Sequence, residues 1–260
     1  MSKENLKKFK SPKVREKGNE PWVVLPNSHD LADWTQDDQI SYNQRLRQKA
    51  KYEFFQNTMD FITDNRIFGD YYEFGCHKGR TFRMVLTEAR RHNLDKMNFF
   101  AFDSFEGLPE PTSDTSVEIW KKGALTTTEQ SFKEMITEHG VYTGNIKTVK
   151  GYYDDSLTCE LQASMMRSGT KAALVNVDCD LFESAVPVFD FIEPLLQEGT
   201  VLYIDDLFAG YKGNPMKGVC RAFLNWQSKS KWKLMPHLQI GWWGRSYITY
   251  ADESLPVGVL

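Results

Sequence analysis

The sequence has no stretch of apolar residues approaching the roughly 20 that a membrane helix needs. No apolar run near its start reads as a secretion signal. It has four cysteines in 260 residues, Cys76, Cys159, Cys179 and Cys220, and no two form a C-x-x-C pair. That scarcity argues against structural zinc and for a reducing compartment. Charge of either sign is not in large excess: a net charge of −3 leaves no bulk attraction to nucleic acid or to an anionic membrane. There is no internal repeat. The G-x-G-x-x-G fingerprint of dinucleotide folds is also missing, because His77 stands where its second glycine is required. What remains is the expectation of a cytoplasmic globular protein with neither a nucleic-acid nor a membrane partner.

What is present is alternation. Residues 1–20 are lysine-rich and poor in large apolar groups, which predicts a flexible basic tail. Residues 21–66 carry Trp22 and Trp34, then a helical stripe of Phe54, Phe55, Met59, Phe61 and Ile62 from about Ile40, and read as an N-terminal lid and helix. From 67 to 260, the segments Asp70–Phe74, Asn98–Phe102, Ile146–Val149, Ala172–Val177 and Thr200–Ile204 read as strands. Helical patterns near 81–92, 128–139, 183–196 and 216–228 separate them, and late strands near 232–235 and 245–250 fit a closing hairpin. Strands alternating with helices predict an α/β fold with a doubly wound, mostly parallel sheet.

Chemistry-bearing residues gather where these strands end. Asp178-Cys179-Asp180 follows the fourth run and Asp205-Asp206 the fifth, at the rim where open α/β folds bind ligands. Carboxylates crowded there repel one another unless a cation lies between them, and a divalent ion is the natural candidate. Upstream, Glu73-Phe-Gly75-Cys-His-Lys-Gly79 forms a strand-to-helix turn. Gly75 permits a tight turn with close backbone approach, and Gly79 close packing at the helix start. Both glycines are equally consistent with an ordinary turn. Asp103, at the end of the second strand, is placed to accept ribose hydroxyls of a nucleoside. Tyr152, Tyr153 and Asp155, after the third strand, could cover and bind an adenine, or the rings could be core.

The pattern E-x-G-x-x-x-G is similar to the first motif of S-adenosylmethionine-dependent methyltransferases. With it, in one order, stand Phe102-Asp-Ser-Phe-Glu-Gly-Leu-Pro109, Gly151-Tyr-Tyr-Asp-Asp-Ser156, Val177-Asp-Cys-Asp-Leu-Phe-Glu-Ser184 and Tyr203-Ile-Asp-Asp206. Together, over about residues 40–225, they resemble the macrocin and mycinamicin O-methyltransferase family, which methylates sugar hydroxyls on natural products. The resemblance implies a Rossmann-like class I methyltransferase sheet of seven strands, the last antiparallel, and a magnesium site beside an S-adenosylmethionine pocket. It assigns metal roles to Asp178, Asp205 and Asp206, cofactor roles to Glu73, Gly75, Asp103 and Ser104, and a lid to about Ile40–Lys51. A homo-oligomer is also expected. The loop Cys76-His77-Lys78 departs from the family's more usual apolar-Trp-Arg, and Gly241-Trp242-Trp243-Gly244 has no assigned counterpart.

Methyl transfer to a sugar or glycoside needs a poor hydroxyl nucleophile to be oriented and its proton removed. Mg²⁺, which favours oxygen ligands, serves both needs. Asp178 is the expected catalytic residue, as metal ligand and proton acceptor. Asp180 could face the metal, cap the following helix or meet the substrate. His77, His139 and His237 are alternative bases. The rivals are a metal-dependent glycosyltransferase using D-x-D, which leaves Glu73, Gly75, Gly79 and Asp103 unexplained, and a non-catalytic nucleotide-binding module.

Overall fold

The structure is a computed structural model that describes residues 33–112, 117 and 120–251. The expected tail over 1–20 and the first part of the lid segment, 21–32, lie outside the described residues. Two compact units divide within the first described helix, after Lys49.

That helix, α1, spans Gln36–Asp64. Its start is set by Thr35, whose Oγ accepts from the Asp38 N–H while the Asp38 carboxylate accepts from the Thr35 N–H, at 3.2 and 3.1 Å. This reciprocal cap satisfies amides that have no partner within the helix and begins it four residues earlier than the apolar stripe indicates. In the second unit, Phe54, Phe55, Met59 and Ile62 of α1 are buried.

The sheet is built from β1 (Asp70–Phe74), β2 (Phe99–Asp103), β3 (Ile146–Lys150), β4 (Ala172–Val177), β5 (Val201–Ile204), β6 (Trp232–Ile240) and β7 (Gly244–Ala251). Its order is β3-β2-β1-β4-β5-β7-β6. β1 to β5 pair in parallel, and β7 is antiparallel to both β5 and β6. Between strands lie α2 (Arg80–Arg91), α3 (Glu129–His139), the single turn α4 (Tyr153–Ser156), α5 (Cys159–Arg167), α6 (Phe182–Ile192) and α7 (Gly218–Gln227). This is the seven-stranded class I methyltransferase sheet. Helices α4 and α5 are additions to the expected elements; α5 starts on Thr158, whose side chain accepts from the Leu161 N–H.

Strands β1, β4 and β5 are buried along their whole length because both faces are covered; β4 and β5 are accordingly almost wholly apolar, whereas β1 buries Asp70 and Glu73 among its aromatics. On one face Tyr71, Leu174 and Tyr203 pack with Phe55 and Met59; on the other Tyr72, Val175 and Ile204 pack with Val188 and Phe223. The chain order runs outward from β1 to β3 on one side and from β4 to β5 on the other. The carboxyl ends of β1 and β4 therefore flank the switch point at which open α/β sheets form a crevice. Among the described residues no helix is long and apolar enough to cross a membrane.

Candidate active site

Three strand ends build the rim. Asp178 follows β4, and its N–H bonds to the Phe74 carbonyl at the end of β1, at 2.8 Å. Asp205 follows β5, and its N–H bonds to the Val177 carbonyl at 2.9 Å. Continuing the ladders one residue past each strand fixes both aspartates side by side. Asp206 turns back in the left-handed region, at φ 49°, as Asp180 does at φ 58°. One oxygen from each of Asp178, Asp205 and Asp206 lies within 4.8 Å of the others. At that spacing each charged pair repels by about 3 kcal/mol at an effective dielectric of 20. Three such pairs, all ionised, rival the whole stability of a domain, so the cluster calls either for protons or for positive charge between its members.

Lys51, on α1, supplies one such charge. Its Nζ donates to Asp178 Oδ2 at 3.1 Å and to Asp205 Oδ2 at 2.7 Å. Burial alone would depress the Lys51 ammonium, but the charges of Asp178 and Asp205 outweigh it and hold the group well above the usual lysine range. Asp205 answers in the opposite sense: burial pushes its carboxyl up, and Lys51, with the Tyr203 hydroxyl, brings it below the usual value. Its other oxygen accepts from Tyr203 Oη and, at 2.8 Å, from Trp243 Nε1. Asp178 and Asp206 are pushed well up, by burial and then by neighbouring carboxylates. Asp180 is raised to about 7, by burial and then by Asp178. With all three carboxylates ionised, one ammonium would leave two negative charges, and the raised Asp178 and Asp206 carboxyls reflect that shortage of positive charge. An all-oxygen donor set with that surplus, and a cation already standing in it, fits Mg²⁺.

The loop before α2 lies beside this cluster. Gly75 has φ 90°, and a Cβ there would stand 1.7 Å from the Asp178 carbonyl oxygen. Its glycine is therefore required by the neighbouring strand's backbone. Gly79, at φ 60°, begins α2 and packs against Phe132 of α3. Glu73 is buried, accepts from Tyr71 Oη, and has its carboxyl pushed well up by burial. Asp103 ties two loops together: Oδ2 accepts from the Cys76 and His77 amides at 2.7 and 3.0 Å, and Oδ1 from Phe105 at 2.7 Å. An ionised carboxylate has roughly four acceptor positions, so one remains for a ribose hydroxyl where two were expected.

Asp103→Asn should expose this structural duty. It replaces an acceptor oxygen by a donor, leaving at least one amide unpaired at a cost of about 1–3 kcal/mol. Urea unfolding would show a lower midpoint at unchanged slope. A wild-type midpoint would mean that the two loops hold themselves.

The remaining expected cofactor residues are more local. Ser104 Oγ donates to the Gly107 carbonyl at 2.7 Å, closing a turn. Tyr153 is half-buried, packs its ring edge-on to Phe74 and donates to the Phe102 carbonyl at 3.2 Å. Tyr152 caps α4 and Asp155 is exposed. His77 Nδ1 lies 3.1 Å from Thr127 Oγ1, and burial lowers its pKa. His139 meets Thr87 and His237 meets Ser246. None of these three histidines hydrogen-bonds to the aspartate cluster. Trp242 is exposed, whereas Trp243 is buried against Asp205. Sequence reasoning missed Lys51, Tyr203 and Trp243 as partners of the cluster. The only signal for Tyr203 was its place two residues before Asp205, on the same face of the strand.

Comparison with known proteins bears on the family and the fold. The model of the macrocin O-methyltransferase family, TylF, matches residues 8–243. A curated relative, the 8-demethyl-8-(2,3-dimethoxy-alpha-L-rhamnosyl)-tetracenomycin-C 4'-O-methyltransferase of Streptomyces olivaceus, is 22% identical over 157 residues. That match spans 58% of this chain and 58% of the relative's length. Among solved structures, the O-methyltransferase NovP superposes with a TM-score of 0.62 at 17% identity, covering 76% of this chain and 79% of that one. The calicheamicin methyltransferase CalS11 gives 0.63 at 18%, covering 82% and 80%. At those identities the two structures show a common fold. With nearly the whole described chain inside the family match, the protein belongs to the macrocin O-methyltransferase family.

Proposed function

We propose that this protein transfers a methyl group from S-adenosylmethionine to a hydroxyl of a sugar or glycosylated natural product, with Mg²⁺ at Asp178, Asp205 and Asp206. The observation that carries the reading is the convergence of three carboxylates on the sheet's switch point, beside the Gly75–Gly79 loop. Family membership supports methyl transfer, and the rhamnosyl acceptor in the Streptomyces relative's name supports a sugar.

S-adenosylmethionine supplies an electrophilic methyl group; Glu73, Gly75, Gly79, Asp103, Ser104, Tyr152, Tyr153 and Asp155 are the residues to hold it, Asp103 through its remaining acceptor position. Mg²⁺, when bound, supplies Lewis acidity that makes a hydroxyl easier to deprotonate. The chain's own share is to bind and aim. Tyr203 and Trp243 fix the Asp205 carboxylate through one oxygen and leave the other facing the site. Asp178 is the proposed proton acceptor, with Asp180 beside it on the same turn. A cytoplasmic location, expected from the composition, and a homo-oligomer, by analogy with the family, complete the reading, and light scattering of the purified protein decides the oligomer.

A methyl-transfer screen over nucleotide sugars and glycosides, with Mg²⁺ and with EDTA, is the direct test. Methylation of at least one sugar hydroxyl, lost in EDTA and restored by Mg²⁺, is the expected result. Calorimetry that finds UDP- or dTDP-sugar binding with Mn²⁺, and no S-adenosylhomocysteine binding, would overturn the reading in favour of glycosyl transfer.

A further inference from the structure

We infer that Lys51 is a displaceable counter-cation built into the metal site: it holds the carboxylate cluster together before metal arrives, and it competes with the metal for Asp178 and Asp205. The inference rests on the Mg²⁺ reading above and deepens it.

Two of the three proposed ligands are engaged by the same ammonium, through Oδ2 of each. In Asp205 the division is clear. Oδ1 accepts from Tyr203 and Trp243, while Oδ2, the oxygen left for a metal, accepts from Lys51. In Asp178 the oxygen that meets Lys51 is again Oδ2, at 3.1 Å. The Lys51 side chain is 12% exposed, so its charge is withdrawn from solvent and directed at the acids. An ammonium and a divalent ion cannot both occupy the space between two carboxylate oxygens, since each would lose its closest contacts to the other's repulsion.

The chemistry of lysine suits a temporary occupant. Its charge sits at the end of four rotatable carbons, so it can swing away without moving α1, and it carries no planar fork that would lock it in place. Tyr203 and Trp243 belong to the sheet and stay with Asp205 in either state. Departure of Lys51 would therefore vacate a pair of oxygens already aimed. The device stabilises the metal-free protein, in which three acids would otherwise face one another unscreened, and it weakens apparent metal affinity by the free energy of the contact displaced.

Calorimetric titration of Mn²⁺ into metal-free wild type and Lys51→Met tests this without a turnover. Lys51→Met should bind Mn²⁺ at least about tenfold more tightly, and its melting temperature in EDTA should fall by about 5 °C or more. Lys51→Arg, which keeps the charge and adds a fork able to grip both carboxylates, should melt near wild type in EDTA and bind Mn²⁺ no more tightly than wild type. Should Lys51→Met fail to fold, the wild type carries the test by itself: reductive methylation mapped by mass spectrometry should spare Lys51 in EDTA and modify it in saturating Mn²⁺. Equal or weaker Mn²⁺ binding by Lys51→Met, or a Lys51 equally protected in both conditions, overturns the inference and leaves the metal reading intact. If neither wild type nor Lys51→Met binds Mn²⁺, the metal reading fails and the inference falls with it. If only Lys51→Met binds, competition is upheld and the wild-type site is one that lysine has closed to metal.

Discussion

Asp178→Asn is expected to lower methyl transfer about 10³-fold and to abolish its stimulation by Mg²⁺. The substitution keeps the shape of the side chain and removes one charge from a cluster whose oxygens lie within 4.8 Å. It leaves Lys51 paired with Asp205 and removes the Asp178 charge that helps push Asp180 upward. The fold should therefore survive, and the urea midpoint should stay at or above that of wild type. This separates a chemical loss from a structural one. Rates measured across an Mg²⁺ series decide the matter: a variant as fast as wild type, and equally dependent on the ion, would remove Asp178 from the chemistry.

Gly75→Ala is expected to destabilise the protein by more than about 3 kcal/mol. Two costs coincide there. At φ 90° an L side chain is strained, and its Cβ would lie 1.7 Å from the Asp178 carbonyl oxygen and 2.8 Å from the carbonyl carbon. Those atoms are backbone of the adjacent strand end, so no rotamer change relieves the contact. Relief must come from parting β1 and β4 at the switch point, which would also move the Asp178 carboxylate away from Asp205. Gly169→Ala is the matched control. It shares a positive φ, 73°, but nothing lies within 4 Å of the added carbon, so it should cost only about 1 kcal/mol. Urea unfolding of the two variants tests the difference, and equal midpoints would disprove the close approach.

Much of the fold was legible because its signals are local. The run Ala172–Val177 is a strand with the bounds its apolar residues indicate, since a strand covered on both faces is mostly apolar, Asn176 being its one polar member. Helix α5 was not legible. Its buried side is reduced to Met165, with Leu161 packed beside the core, too narrow a stripe to reveal a 3.6-residue period. The start of α1 was missed for a different reason: Thr35 and Asp38 carry the signal in a cap, and the apolar period begins only later.

The site divides in the same way. Asp178, Asp205 and Asp206 are visible in the sequence because a sheet's topology turns strand ends into a rim: Asp178 follows one apolar run, and Asp205 and Asp206 follow another. Their partners are not. Lys51 lies 127 residues before Asp178, and Trp243 lies 38 residues after Asp205. No periodicity links a helix lysine or a hairpin tryptophan to those carboxylates. Asp103 shows the limit within a single residue: its position could be read, but the three backbone amides it serves depend on two loops closing on each other. By itself the sequence determined the order of strands and the acids at their ends, because hydrophobic periodicity and the step from apolar run to charge are properties of neighbouring residues. Only the tertiary structure decided which cation stands among those acids and which oxygen of Asp205 remains to meet it, because charge pairing and hydrogen-bond geometry act through space between segments far apart in the chain.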